Sequence, residues 1–293
     1  MGLGVRTTFA DKESVGSLHY FVPPKAHRSD SWNDITGDVS LTHEIGGSWT
    51  VYGSFARRYQ AGGYPPRPYE GLDTFVAFDP TYADSFELGV KSVSSTSLIV
   101  RMSLFHVNYT DLAVQTNELA GDEFLTLVQN AAESTATGLE LEGKVLTEKG
   151  ITLDFALGLV DAEMSNVYQH LYRIRPGDKP ALTPNLTLSL APRFTWKVSR
   201  YMLVADLRYY HRSAMFGQVI NDDLNAMPPV DLMSASLTVA DPRVDWEIRL
   251  YGDNLTDELF PLARLDLDPT VLSILSNDRR EFGIRFSKSY RPR

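Results

Sequence analysis

Histidine, carboxylates and hydroxyls are all this sequence offers for chemistry, because none of its 293 residues is Cys. Without thiols there is no disulfide framework, no thiolate metal site and no Cys nucleophile. The six His residues (His19, His27, His43, His106, His170 and His211) are dispersed, and no two stand at metal-ligand spacing. Asn221-Asp222-Asp223 with Asn225 presents oxygens to a cation, but the Gly and the distal Glu of a calcium loop are missing. No Gly-x-Ser-x-Gly elbow marks a Ser nucleophile. Asn108-Tyr109-Thr110, Asn185-Leu186-Thr187 and Asn254-Leu255-Thr256 fit a glycosylation pattern that reads as accidental here. The expectation is a protein that is not an enzyme, with no catalytic residue, metal or cofactor.

What remains is electrostatics. Glu87, Lys91, Glu140, Glu142, Lys144, Asp206, Arg208, Asp245, Glu247 and Arg249 recur on one parity of their segments. They could line a solute path or clasp a lumen-filling domain. The simpler reading is cross-strand ion pairs that keep a wet wall ordered. The net charge is −9, with Lys and Arg scattered. A nucleic-acid partner would need a basic stripe, so none is expected.

Strands must position these charges. From Leu232 to Asn254 two alternating runs flank Asp241-Pro242-Arg243. Val244, Trp246, Ile248 and Leu250 share one parity, against Asp245, Glu247, Arg249 and Tyr251. In the preceding run Met233, Ala235, Leu237 and Val239 oppose Leu232, Ser234, Ser236 and Thr238. Successive side chains of a strand point to opposite faces, so each run has an apolar and a wet face. The pattern repeats along the chain. Strands are expected over 3–9, 32–44 and 49–57, then from Phe86, over 98–110, and in a sixth ending near Val145. More follow from Ile151, Leu186 and Leu203, and a last one near Phe282–Tyr290. In the 98–110 segment the apolar parity changes at Phe105, which implies either a bulge or a strand rising above its apolar zone.

The count is about twelve strands. Short turns fall near residues 45, 95, 149, 199 and 242, and long loops separate them. An up-and-down meander with tight turns at one rim and long loops at the other is the pattern of an outer-membrane barrel. No segment has the roughly 18 apolar residues of a membrane helix, but a spanning strand needs only about 9–11 residues. The fold class expected is all-β: an antiparallel up-and-down transmembrane β-barrel.

Five segments carry a resemblance. They are Tyr52-Gly53-Ser54-Phe55-Ala56 running into Tyr59–Tyr64, Phe86-Glu87-Leu88-Gly89-Val90-Lys91, and Asn130-Ala131-Ala132-Glu133 before Gly138-Leu139-Glu140-Leu141-Glu142. Tyr251-Gly252-Asp253-Asn254-Leu255-Thr256-Asp257-Glu258 and Arg280-Glu281-Phe282-Gly283-Ile284 complete the series. In order and spacing these resemble the C-terminal part of the β-barrel of TonB-dependent outer-membrane receptors. Arg58, Pro65-Pro66 and the final Tyr290-Arg291-Pro292-Arg293 depart from the family pattern.

The resemblance implies a bacterial outer-membrane location and uptake of a scarce bulky solute such as a ferric siderophore. It also implies energy from TonB acting through a plug, within a barrel of about 22 strands. The opening Met1-Gly2-Leu3-Gly4-Val5-Arg6 has no signal-peptide character. With no TonB box or plug recognisable, residues 1–293 are expected to be one receptor-like barrel portion that needs a plug and N-terminal strands from elsewhere. The alternative is twelve strands closed on themselves as a passive diffusion channel or surface-binding barrel. A membrane-embedded hydrolase is the least supported class. Binding residues concentrate on loops held by a rigid frame. The substrate-loop candidates are therefore Tyr64, Tyr69, Phe75 and Phe78 in one loop, with Tyr168 and Tyr172 in another.

Overall fold

Two-faced strands pair antiparallel along the chain, and among the described residues twelve of them make eleven ladders. The computed structural model describes residues 1–19, 22–65, 76–92, 97–120, 123–167, 174–267 and 270–289. Its strands are β1 (Gly2–His19), β2 (Val22–Ile45), β3 (Trp49–Gln60), β4 (Thr81–Ser92), β5 (Leu98–Ala120) and β6 (Glu123–Leu146). Then come β7 (Ile151–Ser165), β8 (Leu186–Val198), β9 (Tyr201–Arg212), β10 (Met215–Phe216) and β11 (Ala226–Met227). The last are β12 (Val230–Asp241), β13 (Trp246–Asp253), β14 (Pro261–Leu267), β15 (Thr270–Ser276) and β16 (Glu281–Lys288). Twelve of them form one antiparallel sheet in the order β1 to β9, β12, β13, β16. The pairs β10–β11 and β14–β15 are separate two-stranded ladders inside segments read from sequence as long loops.

Self-closure of the twelve strands is not what the ladders do. Closing a barrel requires its first and last strands to pair in register. Among the described residues β1 pairs only with β2, and β16 only with β13.

The turns follow expectation. Gly46 and Gly47 both have positive φ (60° and 69°), the backbone of a two-residue turn matched to strand twist. Ser199 (φ 57°) and Asp245 (φ 52°) reverse the chain at two further short connections. The turn expected at Ser94-Ser95-Thr96 lies outside the described residues.

The register sorts side chains as the alternation demands. Leu157 is paired with Leu141 on one side and Leu188 on the other, so three Leu share one face. Leu3, Val5 and Phe9 on that face of β1 are 77%, 74% and 76% exposed, as are Ile284 and Phe286 of β16 in large part. An apolar face left bare in water would be costly; facing lipid, it is stabilising. Toward the short turns this band ends in aromatics. Trp196 stacks on Phe194 (centroids 5.8 Å apart), Trp246 lies 6.1 Å from Tyr201, and Trp49 opens β3.

Toward the long loops the band ends in polar groups. The Phe55–Phe86 pair gives way to an Arg57–Asp84 ion pair at 3.2 Å. The eight-residue rise from Trp49 to Arg57 spans roughly 20 Å, at ~3.3 Å per residue and a ~40° tilt. The phase change in β5 has the same origin. Pairing is regular through Leu104 and Phe105. Beyond Leu104 the outward positions are His106, bonded to Thr137 and Asn108 (2.7 and 3.0 Å), and Asn108 itself. The strand has risen above its apolar zone. The real bulge comes later, between Tyr109 and Leu112, where Asp111 has a φ of 54°.

Strand lengths differ from expectation. β1 and β2 have 18 and 24 residues, and β5 and β6 have 23 and 24. The polar connections read at Pro23-Pro24 and at Asn117–Glu123 fall largely inside these hairpins. Among the described residues, the part of β2 before Asp38 pairs only with β1, which leaves its other ladder edge without a strand. Pro is tolerated on such an edge.

Candidate functional site

The face opposite the apolar band carries the charges, and they pair across strands. Arg101 of β5 donates to Glu142 of β6 at 2.9 Å, and Lys144 of β6 meets Asp154 of β7 at 3.1 Å. Arg193 of β8 holds Asp206 of β9 at 2.6 Å, and Ser236 of β12 donates to the same carboxylate at 3.3 Å. Arg58 lies 3.8 Å from Asp38, and the Tyr52 hydroxyl donates to Glu87. Arg101–Glu142, Lys144–Asp154, Arg193–Asp206 and Ser236–Asp206 are direct register partners, and Arg58–Asp38 and Tyr52–Glu87 are diagonal ones. Of the charges read from sequence as lining this wall, Asp245 does not belong: it lies in the β12–β13 turn.

The side chains of Arg101 and Glu142 are more than half exposed. Exposed pairs contribute little. Glu142→Gln is expected to lower stability by less than about 1 kcal/mol, and less still at high salt. Urea titrations at low and high NaCl check this; a salt-independent loss above that range would give the pair a larger role.

Above the band, the long loops are built on a polar frame and a small core. Tyr64 packs edge-on against Trp32 (6.3 Å, 69°) and donates its hydroxyl to Asp30. Partial burial and that carboxylate push its phenol up to about 12. The Lys12 ammonium sits 5.7 Å from the Trp32 ring centre and donates to the Ala61 and Gly62 carbonyls. Gly63 and Phe78 exchange two backbone hydrogen bonds (3.1 and 2.8 Å), closing the base of the loop. A Cβ at Gly62 would stand 2.3 Å from the Phe78 carbonyl oxygen, so only Gly fits there. Tyr64 and Phe78 therefore root this loop. Tyr69, Phe75, Tyr168 and Tyr172 lie outside the described residues.

Sequence reading missed the residues that hold the other loops. Val114, Ala132, Met164, Ile174 and Ile220 form a buried cluster, backed by Leu112, Val167 and Val219. The Asp111 bulge flips the phase of β5, and the apolar Leu112 and Val114 beyond it were the available signal. Asn221 bridges to Lys179 through its side-chain oxygen (2.6 Å) and nitrogen (3.0 Å), joining two loops. Asp222 accepts from the backbone and side chain of Asn225 at 3.0 and 2.8 Å. The oxygens considered as cation ligands thus shape a turn.

The Asn254–Glu258 segment is a clamp. Asn254, at a φ of 48°, donates to the carbonyls of Glu258 and Asp278 (2.8 and 2.9 Å). Glu258 accepts from the Asp231 backbone at 2.9 Å, and Thr256 donates to the Asp231 carbonyl at 2.9 Å. The β14–β15 hairpin is tied by these bonds to the start of β12.

Comparison with known proteins agrees with this geometry. The family described as "TonB dependent receptor-like, beta-barrel" matches residues 2–255. The pesticin receptor of Yersinia enterocolitica is 26% identical over 136 residues, covering 46% of this chain and 19% of that protein. Among solved structures, the ferric yersiniabactin uptake receptor of Yersinia pestis superposes with a TM-score of 0.80 at 20% identity. That match covers 96% of this chain and 42% of the other. The copper transporter OprC superposes with a TM-score of 0.73 at 13% identity, covering 98% and 45%. The chain thus spans less than half the length of these relatives. Structural likeness at such identity carries the fold alone.

Proposed function

Because this chain belongs to the TonB-dependent receptor-like β-barrel family, we propose that it forms part of the wall of an outer-membrane receptor that takes up a scarce, bulky solute. A metal chelate such as a ferric siderophore is the class favoured. The observation that carries the reading is the two-sided sheet: an apolar outer band with aromatics at one rim, and an ion-paired inner wall. The unpaired ladder edges of β1 and β16 support it too. Backbone groups unpaired in lipid cost several kcal/mol each, so both edges are read as joining the remaining strands of a wider barrel. A lumen that wide needs a plug, and the energy to move it would come from TonB. The wall itself positions and encloses. It breaks no bond, and the loops rooted at Tyr64 and Phe78 face the outside.

The test is uptake of radioiron presented on a panel of siderophores. The full-length protein is expressed in an outer-membrane receptor-deficient strain, with and without TonB. Accumulation with at least one chelate, abolished without TonB, is expected. Accumulation that survives loss of TonB would indicate a passive pore, and no accumulation with any chelate would overturn the cargo class.

A further inference from the structure

The inner face of β13 and β16 holds a charge arrangement that strand pairing alone disfavours. Arg249 and Arg285 are direct cross-strand partners there. Like charges so opposed destabilise a pair of strands. Elsewhere on this wall Arg58, Arg101, Lys144 and Arg193 each meet a carboxylate. Among the described residues, Arg249 and Arg285 meet none within 4.0 Å, nor does Arg208 on the same inner face.

The next rung toward the loops pairs Tyr251 with Gly283, and the Tyr251 ring lies over that glycine. A Cβ on Gly283 would stand 2.3 Å from the phenol oxygen, so the missing side chain leaves room for the ring. One rung further, Asp253 faces Glu281, a second like-charged pair of opposite sign. All these side chains but the glycine line a cavity of about 470 Å³ on the inner wall, together with Arg208 and the ion-paired Arg193, Asp206 and Asp154.

We propose that the Arg249–Arg285 rung binds an oxyanion, a carboxylate or phosphate group borne by a polypeptide segment in the lumen or by a solute. Two guanidinium forks offer paired N–H donors matched to such a group, and a bound anion converts their repulsion into attraction. Tyr251 adds a hydroxyl donor. The acidic rung, four residues or roughly 13 Å away along the strands, repels the anion and confines it to the arginine end. This requires only that the inner face line water; it can fail while the uptake reading stands, and the reverse.

The experiment compares thermal unfolding of the full-length protein in detergent, in chloride and in citrate of matched ionic strength. The variants are Arg249→Gln, Arg285→Gln, Arg249→Lys and, away from this cavity, the already paired Arg101→Gln. A segment-borne anion makes either Gln variant melt several degrees lower in chloride, with citrate adding nothing to the parent. A solute site makes citrate raise the parent midpoint, and either Gln variant binds citrate about tenfold more weakly. In both cases Arg249→Lys retains part of the effect and Arg101→Gln leaves it unchanged. Gln variants that melt at or above the parent in chloride, with no citrate effect on the parent, overturn the proposal. Relief of bare repulsion would then be all the rung has to give.

Discussion

Leu157→Arg is expected to destabilise the protein folded into lipid vesicles by about 2–4 kcal/mol, whereas Ala156→Arg, one residue earlier, costs less than about 1 kcal/mol. Leu157 lies in the middle of the apolar band, flanked by Leu141 and Leu188 across the two ladders. A guanidinium there meets hydrocarbon and must snorkel to reach water. Ala156 lies on the other face, exposed, opposite Glu142 and Ser189. An Arg at that site finds solvent and a carboxylate. Equilibrium urea titration followed by tryptophan fluorescence reads both. Equal costs, or a larger cost for the Ala156 variant, would reverse the assignment of faces and with it the membrane reading.

The second large effect belongs to the loops. Met164 is fully buried among Val114, Ala132, Ile174 and Ile220. Met164→Ala leaves a cavity in that cluster, at a cost of about 2–5 kcal/mol. The sheet below has its own ladders, so the loss is expected to be local. Hydrogen exchange in residues 174–182 and 219–221 should accelerate at least about 30-fold, the factor that 2 kcal/mol represents. The central amides of β7 and β8 should barely change. A uniform acceleration through the sheet would mean that loops and barrel unfold together.

Much of this was legible because a strand between lipid and water must alternate, and alternation survives in a single sequence. The β12–β13 hairpin is read correctly down to its faces: Ile248 and Leu250 pair with Phe286 and Ile284, while Glu247 and Arg249 fall on the other side. The upper halves of β1, β2, β5 and β6 were not legible. Above the band no lipid imposes a period, and Pro23-Pro24 and Asn117–Glu123 read as connections. The Met164 cluster was hidden for a different reason. It gathers residues from five separate segments, and no local pattern signals such a meeting. Nor could the strand pattern say whether the sheet closes, since edge and interior strands alternate alike. Of the six loop aromatics, Tyr64 donates to Asp30 and Phe78 pairs through its backbone with Gly63 at the base of their loop.

The overlong β5–β6 hairpin bears on how anything approaches from outside. From Leu104, the last apolar outward residue of β5, sixteen more residues lead to Ala120. At ~3.3 Å each and the same ~40° tilt that is a rise of roughly 40 Å, more than the thickness of the bilayer's oily layer. The hairpin is therefore a mast as tall as the hull below it. Anything that approaches the long-loop rim meets this hairpin as well as the loops around it.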